Sequence, residues 1–167
     1  MRRRETGFTL IELLVVIAII GILAAIVLAS MSAAREKAKV ARAKAEIREI
    51  RTAVEMLAND SFQWPGHKST DQVETGGSNE VWDLTTNAAG LMATDGAYPG
   101  WRGPYIKTIS NDPWGHAYFL DTDYAVDANN NPCQSTCTNA VVLGSFGPNG
   151  VGQNLYDSDD IIIVLKR

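Results

Sequence analysis

Three aspartates crowd together near the end of the chain. Asp157, Asp159 and Asp160 stand just before the apolar run Ile161-Ile162-Ile163 and follow a glycine-rich turn at 145–152. Clustered carboxylates repel one another unless water or a cation neutralises them, and a hard cation such as calcium is held by about six to eight oxygens from carboxylates, backbone carbonyls and water. The pattern predicts either a calcium-binding turn or a solvated acidic turn that caps a strand, and composition alone does not separate the two.

A second segment also carries candidate oxygen ligands. Asp127-Ala128-Asn129-Asn130-Asn131 begins like a calcium-binding helix-loop-helix loop. Pro132, however, occupies the position where that loop needs glycine, and Thr138 stands where its bidentate glutamate belongs. We therefore expect no metal site here.

A lone carboxylate, Glu12, lies at the start of an apolar stretch in which residues 13–29 have no polar side chain. A charged side chain at a bilayer centre costs about 2.5–3.5 kcal/mol on insertion scales, so Glu12 predicts a partner cation inside the membrane. An ordinary secretory signal is the alternative, but its apolar core of about 7–15 residues is shorter than this stretch. A plain anchor explains the length and leaves Glu12 unexplained.

Catalytic patterns are not evident. The turn Gly147-Pro148-Asn149-Gly150 lacks the lysine of a phosphate-binding loop, and the sequence has neither a nucleophile elbow nor a zinc-binding histidine pair. His67 and His116 are predicted to be surface or turn residues. We do not expect an enzyme.

Composition indicates one membrane segment and one compact domain. The chain has 167 residues, of which 46% are hydrophobic and 20% charged, and its net charge of -4 gives no reason to expect nucleic-acid binding. Arg2, Arg3 and Arg4 place the N-terminus in the cytoplasm by the positive-inside rule, so everything after about residue 34 is predicted to be exported. Cys133 and Cys137 would then form a disulfide, with two unpaired thiols as the alternative.

The elements that position these residues are a long helix and short strands. Residues 8–59 are predicted to form one helix whose outer half is amphipathic, and a short helix is predicted at 81–91 within a long connection. Strand-like runs occur at 117–120, 124–126, 141–145 and 161–165, which suits an antiparallel sheet packed on the helix. The predicted fold class is α+β. The apolar stripe of the outer helix comprises Val40, Ala43, Ile47, Ile50, Val54 and Leu57.

The motif Gly7-Phe8-Thr9-Leu10-Ile11-Glu12, followed by the apolar run, resembles the class III signal of type IV pilins and type II secretion pseudopilins. The resemblance implies that residues 1–7 are a leader and that a prepilin peptidase cuts between Gly7 and Phe8 and methylates the new Phe8 amine. Glu12 would pair with the N-terminal amine of a neighbouring subunit. Residues 8–34 would be the transmembrane and assembly helix, and residues 35–167 the exported domain, with its helix at 35–60, a variable loop at 61–112 and the sheet at 113–167.

The C-terminal half resembles the major pseudopilin of type II secretion. The matching motifs are Asp112-Pro113-Trp114-Gly115-His116-Ala117-Tyr118 and Ser145-Phe146-Gly147-Pro148-Asn149-Gly150, with Asp159-Asp160-Ile161. By that resemblance the last loops bind calcium. The ligands would be the carbonyls of Phe146, Val151 and Asp157 and the side chains of Asn149 and Asp159, with Asp160 nearby.

The chain departs from the family pattern at several positions. Asn149 replaces a usual aspartate, which removes one negative charge, and the segment 152–156 is longer than in the family. Cys133 and Cys137 lie in an asparagine-rich insertion that the usual major pseudopilin lacks. Ala29 stands where many family members carry a helix-bending proline.

The resemblance implies a structural subunit that polymerises with copies of itself in a helical filament. Its other partners would be an inner-membrane assembly platform, minor pilins or pseudopilins, and the lipid bilayer; the assembled filament would be periplasmic or extracellular. A type IV pilin of a surface pilus is the alternative within the class. A membrane-anchored binding protein is the competitor from another class, and it predicts that Glu12→Ala leaves the protein functional.

Overall fold

The computed structural model describes residues 7–71, 73 and 80–167. The predicted positive run Arg2–Arg4 and parts of the predicted variable loop lie outside the described residues. The elements are a helix α1 (Leu10–Ser61) and five strands, β1 (Gln63–Trp64), β2 (Lys68–Ser69), β3 (Phe119–Val126), β4 (Thr138–Ser145) and β5 (Ile161–Lys166). The helix begins two residues after the predicted start and ends two residues after the predicted end. A long helix with a small antiparallel sheet confirms the predicted α+β fold class.

The chain divides into two compact units, Met1–Ala38 and Lys39–Arg167. In the first unit, the described apolar side chains of α1 are exposed, from Leu10 at 76% to Leu28 at 69%. This part of α1 is long and apolar enough to cross a membrane. An apolar surface of this extent requires cover by lipid or by other protein chains.

In the second unit, α1 is amphipathic as predicted. Ile47, Val54 and Leu57 are fully buried, and Val40 is partly buried at the edge of the same core. Residues off the stripe form ion pairs along the helix, Arg42 with Glu46 and Arg51 with Glu55. The buried stripe fixes which face of the helix the sheet covers.

The sheet has the order β3-β4-β5 with antiparallel pairing throughout. Alternate residues face opposite sides, so Leu120 and Leu143 pack with the helical stripe, whereas Phe119 and Val142 belong to a second core on the other face. Two predicted strand runs are one strand, β3, because a register shift between Asp121 and Tyr124 interrupts the pairing without ending it.

The short helix predicted at 81–91 is wrong over most of its length. Val81 instead pairs with Leu120 in an isolated antiparallel bridge, and only Asn87–Ala89 form a 3-10 helix. The Asp83 carboxylate accepts hydrogen bonds from the amide and the hydroxyl of Thr85, which holds a local turn in place of helical bonds.

Candidate functional site

The helix entrance is built by Thr9 and Glu12. The Thr9 amide and hydroxyl donate to the same oxygen, Oε2 of Glu12, at 2.9 and 2.7 Å, and the Glu12 amide donates back to the Thr9 hydroxyl at 3.4 Å. This reciprocal capping box satisfies amides that have no partner in the first helical turn. Gly7 and Phe8 precede it outside the helix, and Phe8 is 83% exposed.

Between Gly7 and Arg35 the sequence has neither lysine nor arginine, so α1 itself offers Glu12 no cation before Arg35. The capping hydrogen bonds satisfy its acceptor capacity only in part, since a carboxylate has about four lone-pair positions. The arrangement leaves acceptor capacity for an external amine beside the exposed Phe8.

At the other end of the chain, Asp112 connects two turns. Its Oδ1 accepts hydrogen bonds from the amides of Trp114 and His116, and its Oδ2 accepts one from the Ser145 hydroxyl at 2.6 Å. Ser145 in turn accepts from the Gly147 amide. The link from this turn to the glycine-rich turn has no sequence signal, because a contact across 33 residues leaves no local pattern.

The glycine-rich turn presses against the acidic end. Gly147 has φ +63°, and a Cβ built on it would lie 2.0 Å from the Asp159 carbonyl oxygen. Trp114 is partly buried and packs against the main core. Only glycine permits this approach of the two backbones.

Hydrogen bonds connect four of the five residues predicted as calcium ligands. Asn149 donates from Nδ2 to Oδ2 of Asp157 at 2.9 Å, and Asp157 Oδ1 accepts from the amide of Asp159 at 2.9 Å. The Asn149 Oδ1 accepts from the amide of Val151, a fourth predicted ligand. Phe146, the fifth, is buried and stacked on Phe119 with ring centroids 4.4 Å apart. The five residues therefore lie on two adjoining turns.

Asp160 lies beneath these turns. Its Oδ2 accepts hydrogen bonds from the Tyr124 hydroxyl and from the Asp157 amide, while its buried Oδ1 has no hydrogen-bond partner among the described residues. Burial raises the pKa of Asp160 to about 6. A buried carboxylate oxygen without a partner is costly unless a proton or a cation satisfies it.

These residues fit a hard cation by their donor chemistry. Carbonyl, amide and carboxylate oxygens are the ligands that calcium takes, and the buried Oδ1 of Asp160 has no hydrogen-bond partner among the described residues. Within the part of the chain described, no three acidic, histidine or cysteine side chains converge as a metal site. A cation held here would thus depend largely on backbone carbonyls and water.

The asparagine-rich insertion folds around Asp127 and a disulfide. Asp127 Oδ1 accepts from the amides of Asn129 and Asn131, so this carboxylate serves its own turn, and those hydrogen bonds lower its pKa. The structure joins Cys133 and Cys137 through a disulfide. The sequence did not predict that Gln134 within this loop donates to the Tyr156 carbonyl at 3.2 Å.

Comparison with known proteins gives two family matches. Residues 2–28 match the prokaryotic N-terminal methylation motif, and residues 30–131 match the type II secretion system protein G family. The second match covers more than half of the chain.

Individual relatives agree. The type II secretion system core protein G of Pseudomonas aeruginosa is 36% identical over 119 residues, which are 70% of this chain and 73% of the relative. The protein of the same name from Klebsiella pneumoniae is 29% identical over 163 residues, covering 95% of this chain and 94% of the relative. A crystal structure of the major pseudopilin from enterohaemorrhagic Escherichia coli matches with a TM-score of 0.47 and 22% identity, over 78% of this chain and 86% of that one.

The protein G family match and the named relatives favour the secretion branch over the surface-pilus alternative, and the methylation-motif match agrees with the expectation drawn from the motif at 7–12. The chain belongs to the type II secretion system protein G family.

Proposed function

We propose that the chain is inserted in the cytoplasmic membrane with its N-terminus inside, is cleaved after Gly7, and polymerises through the helix that begins at Phe8. The observation that carries this proposal is the position of Glu12: a carboxylate with spare acceptor capacity heads an exposed apolar helix that has no cation before Arg35. Cleavage would create an amine on Phe8, and the amine of a neighbouring copy would supply the missing positive charge.

The partners follow from this assembly. A prepilin peptidase would cleave and methylate the chain, an inner-membrane platform would extract it from the bilayer, and minor pseudopilins would share its filament. Copies of residues 8–34 would cover one another's apolar surface in the filament core. The role proposed is structural and involves no catalysis, and the filament would lie in the periplasm or beyond it.

Mass spectrometry of the protein purified from its native membranes tests the processing step. The expected mature chain lacks residues 1–7 and begins with N-methylated Phe8. Protein from cells without a prepilin peptidase is the control and should keep the leader. An intact Met1 in cells that contain the peptidase, or cleavage near Ala33, contradicts the proposal.

We further propose that the turns at 146–151 and 157–160 hold calcium. The oxygen donors of Asn149, Asp157 and Asp159 and the buried oxygen of Asp160 support a hard cation there. Bound calcium would neutralise the carboxylates and hold the two turns in one shape. Titration of the full chain in detergent with calcium should raise its melting temperature, because the ion would bind the folded state only.

Asp159→Asn provides the matched variant for that titration. It removes a ligand charge and keeps the size of the side chain, so the rise in melting temperature should shrink. Asp71→Asn, at an exposed position away from both turns, should leave the rise unchanged. No rise for the unsubstituted chain at millimolar calcium contradicts the calcium proposal and leaves the processing proposal standing.

A further inference from the structure

The insertion that carries the disulfide is fixed to the sheet by contacts that do not involve the acidic turns. The Cys133 amide donates to the Ala125 carbonyl at 3.1 Å, and Val126 pairs with Pro132 in a β-bridge. At the C-terminus, the Arg167 guanidinium donates to the Asp127 carbonyl at 2.8 Å. Together with the disulfide, these contacts restrain the position of the 133–137 loop relative to the sheet.

The segment 151–155, between the turns at 146–151 and 157–160, is exposed except at Gly152, which is buried against the Phe146 ring. Val151 and Leu155 are 46% and 59% exposed, and the Leu155 amide bonds only locally, to the Gly152 carbonyl. Tyr156, at the end of this segment, is held from two sides. Its ring packs on Tyr124 with centroids 4.3 Å apart, and its carbonyl accepts the hydrogen bond from Gln134.

The Tyr156 carbonyl belongs to the peptide group that joins Tyr156 to Asp157. A peptide group is planar, so fixing this carbonyl also fixes the direction of the Asp157 amide, which donates to Asp160 at 3.4 Å. Asp157 also accepts, through its carboxylate Oδ2, a hydrogen bond from Nδ2 of Asn149 at 2.9 Å. Gln134 therefore reaches the candidate calcium ligands through one peptide group.

We propose that Gln134 is a positioning residue for the turns at 146–151 and 157–160, and that the disulfide loop 133–137 holds Gln134 in place for this role. This inference rests on the proposed calcium binding. Asn149 contributes no charge to the site, so its affinity for calcium depends strongly on how well the remaining oxygens are placed before the ion arrives. Gln134 provides that placement by holding the peptide group between Tyr156 and Asp157 in advance.

Isothermal titration of the full chain in detergent with calcium chloride tests the proposal. Gln134→Met keeps the length of the side chain and removes the donor, so we expect the calcium Kd to rise about 3–10-fold, the effect of losing one hydrogen bond. The melting temperature in EDTA should stay within about 2 °C of the unsubstituted chain, because a positioning role concerns the ion rather than the core. Ser135→Ala, in the same loop, is the control and should change neither quantity.

The disulfide supplies a second, independent comparison. Replacing both cysteines by serine should raise the Kd at least as much as Gln134→Met does, and adding Gln134→Met to that variant should change the Kd less than twofold, because both changes remove the same support. Gln134→Met and Ser135→Ala leave the disulfide intact, so they decide the matter even where the cysteine variant fails to fold.

An unchanged Kd for Gln134→Met overturns the inference and leaves the calcium proposal intact. A fall in the EDTA melting temperature of more than about 5 °C, with no separate change in Kd, assigns Gln134 to general stability and also overturns it. Absence of calcium binding by the unsubstituted chain overturns this inference together with the calcium proposal, whereas the mass of the processed N-terminus remains a separate result.

Discussion

Glu12 accepts two hydrogen bonds from Thr9, one from its amide and one from its hydroxyl, and so it caps the same helix whose apolar surface it interrupts. The carboxylate thus has two separable roles: its oxygen caps the helix start, and its charge attracts an amine of another copy. A glutamine retains the first role and loses the second.

Glu12→Gln is therefore expected to leave the helix start and membrane insertion intact and to abolish filament assembly. Membrane fractionation measures insertion, and electron microscopy of sheared filaments measures assembly. Thr9→Ala is the matched variant, because it removes the hydroxyl of the cap and keeps the charge; it should still assemble. Wild-type filament numbers for Glu12→Gln would show that the charge has no role in assembly.

Tyr118 connects the sheet side of the core to the helix. Its ring is 1% exposed, and its hydroxyl donates to Oε2 of Glu46, whose other oxygen pairs with Arg42. Burial and the neighbouring carboxylate raise the pKa of Tyr118, so it remains a donor at alkaline pH. Tyr118→Phe should lower the free energy of unfolding by about 1.5–3 kcal/mol, the usual range for a hydrogen bond to a charged group.

Urea unfolding of the full chain in detergent, followed by tryptophan fluorescence, measures this change. All four tryptophans lie in the unit Lys39–Arg167, so the fluorescence reports on that unit. Tyr105→Phe removes a hydroxyl that donates to Asp60 at 3.0 Å and accepts from the Arg102 amide at 2.9 Å in a more exposed setting, and its effect should be smaller, about 1 kcal/mol. Equal losses in the two variants would contradict the assigned role of Tyr118.

The parts of this structure that sequence predicts are those governed by local periodicity. The helical stripe that includes Ile47, Val54 and Leu57 follows from spacings of three and four residues, and β4 and β5 follow from short runs of β-branched residues. At the helix entrance, the threonine three residues before glutamate in Thr9 and Glu12 is itself a sequence pattern for a capping box, and it could have been found that way.

The parts that sequence does not predict depend on contacts between distant residues. Asp112 bonds to Ser145 and Gln134 bonds to Tyr156, and neither pair has a local pattern. The helix predicted at 81–91 failed for the same reason, because pairing of Val81 with Leu120 overrides local helix propensity. The calcium ligands came from family resemblance, and the structure adds that Asn149 and Asp157 also bond directly to each other.

A single methyl group added at Gly147 should push the glycine-rich turn away from the backbone at Asp159. Its φ is +63°, and an added Cβ would meet the Asp159 carbonyl at 2.0 Å, so backbone must move. Gly147→Ala should cost about 2–4 kcal/mol in unfolding free energy, from left-handed strain together with the clash. It should also abolish any calcium-dependent rise in melting temperature. Gly96→Ala also has positive φ but open space around it, so about 1 kcal/mol is expected; similar losses at both glycines would show that the approach to Asp159 is unimportant.

Asp121, fully buried in β3, should make the second unit, Lys39–Arg167, less stable as pH rises. Burial raises its pKa to about 7, with Asp123 and Glu80 adding repulsion, so between its ordinary pKa of 3.8 and about 7 the folded chain binds a proton that the unfolded chain has released. Its contribution is complete below the lower value and is lost as pH rises through the upper one. Asp121→Asn keeps the oxygen that accepts the Asp123 amide, so its stability relative to the unsubstituted chain should be nearly unchanged at pH 4 and higher by on the order of 2–4 kcal/mol at pH 8. Urea unfolding at each pH measures the difference.

Asp127→Asn should behave in the opposite direction, losing stability at neutral pH and not in acid, because hydrogen bonds lower the Asp127 pKa. A difference between Asp121→Asn and the unsubstituted chain that does not vary with pH would mean that the pKa of Asp121 is the same in the folded and the unfolded chain.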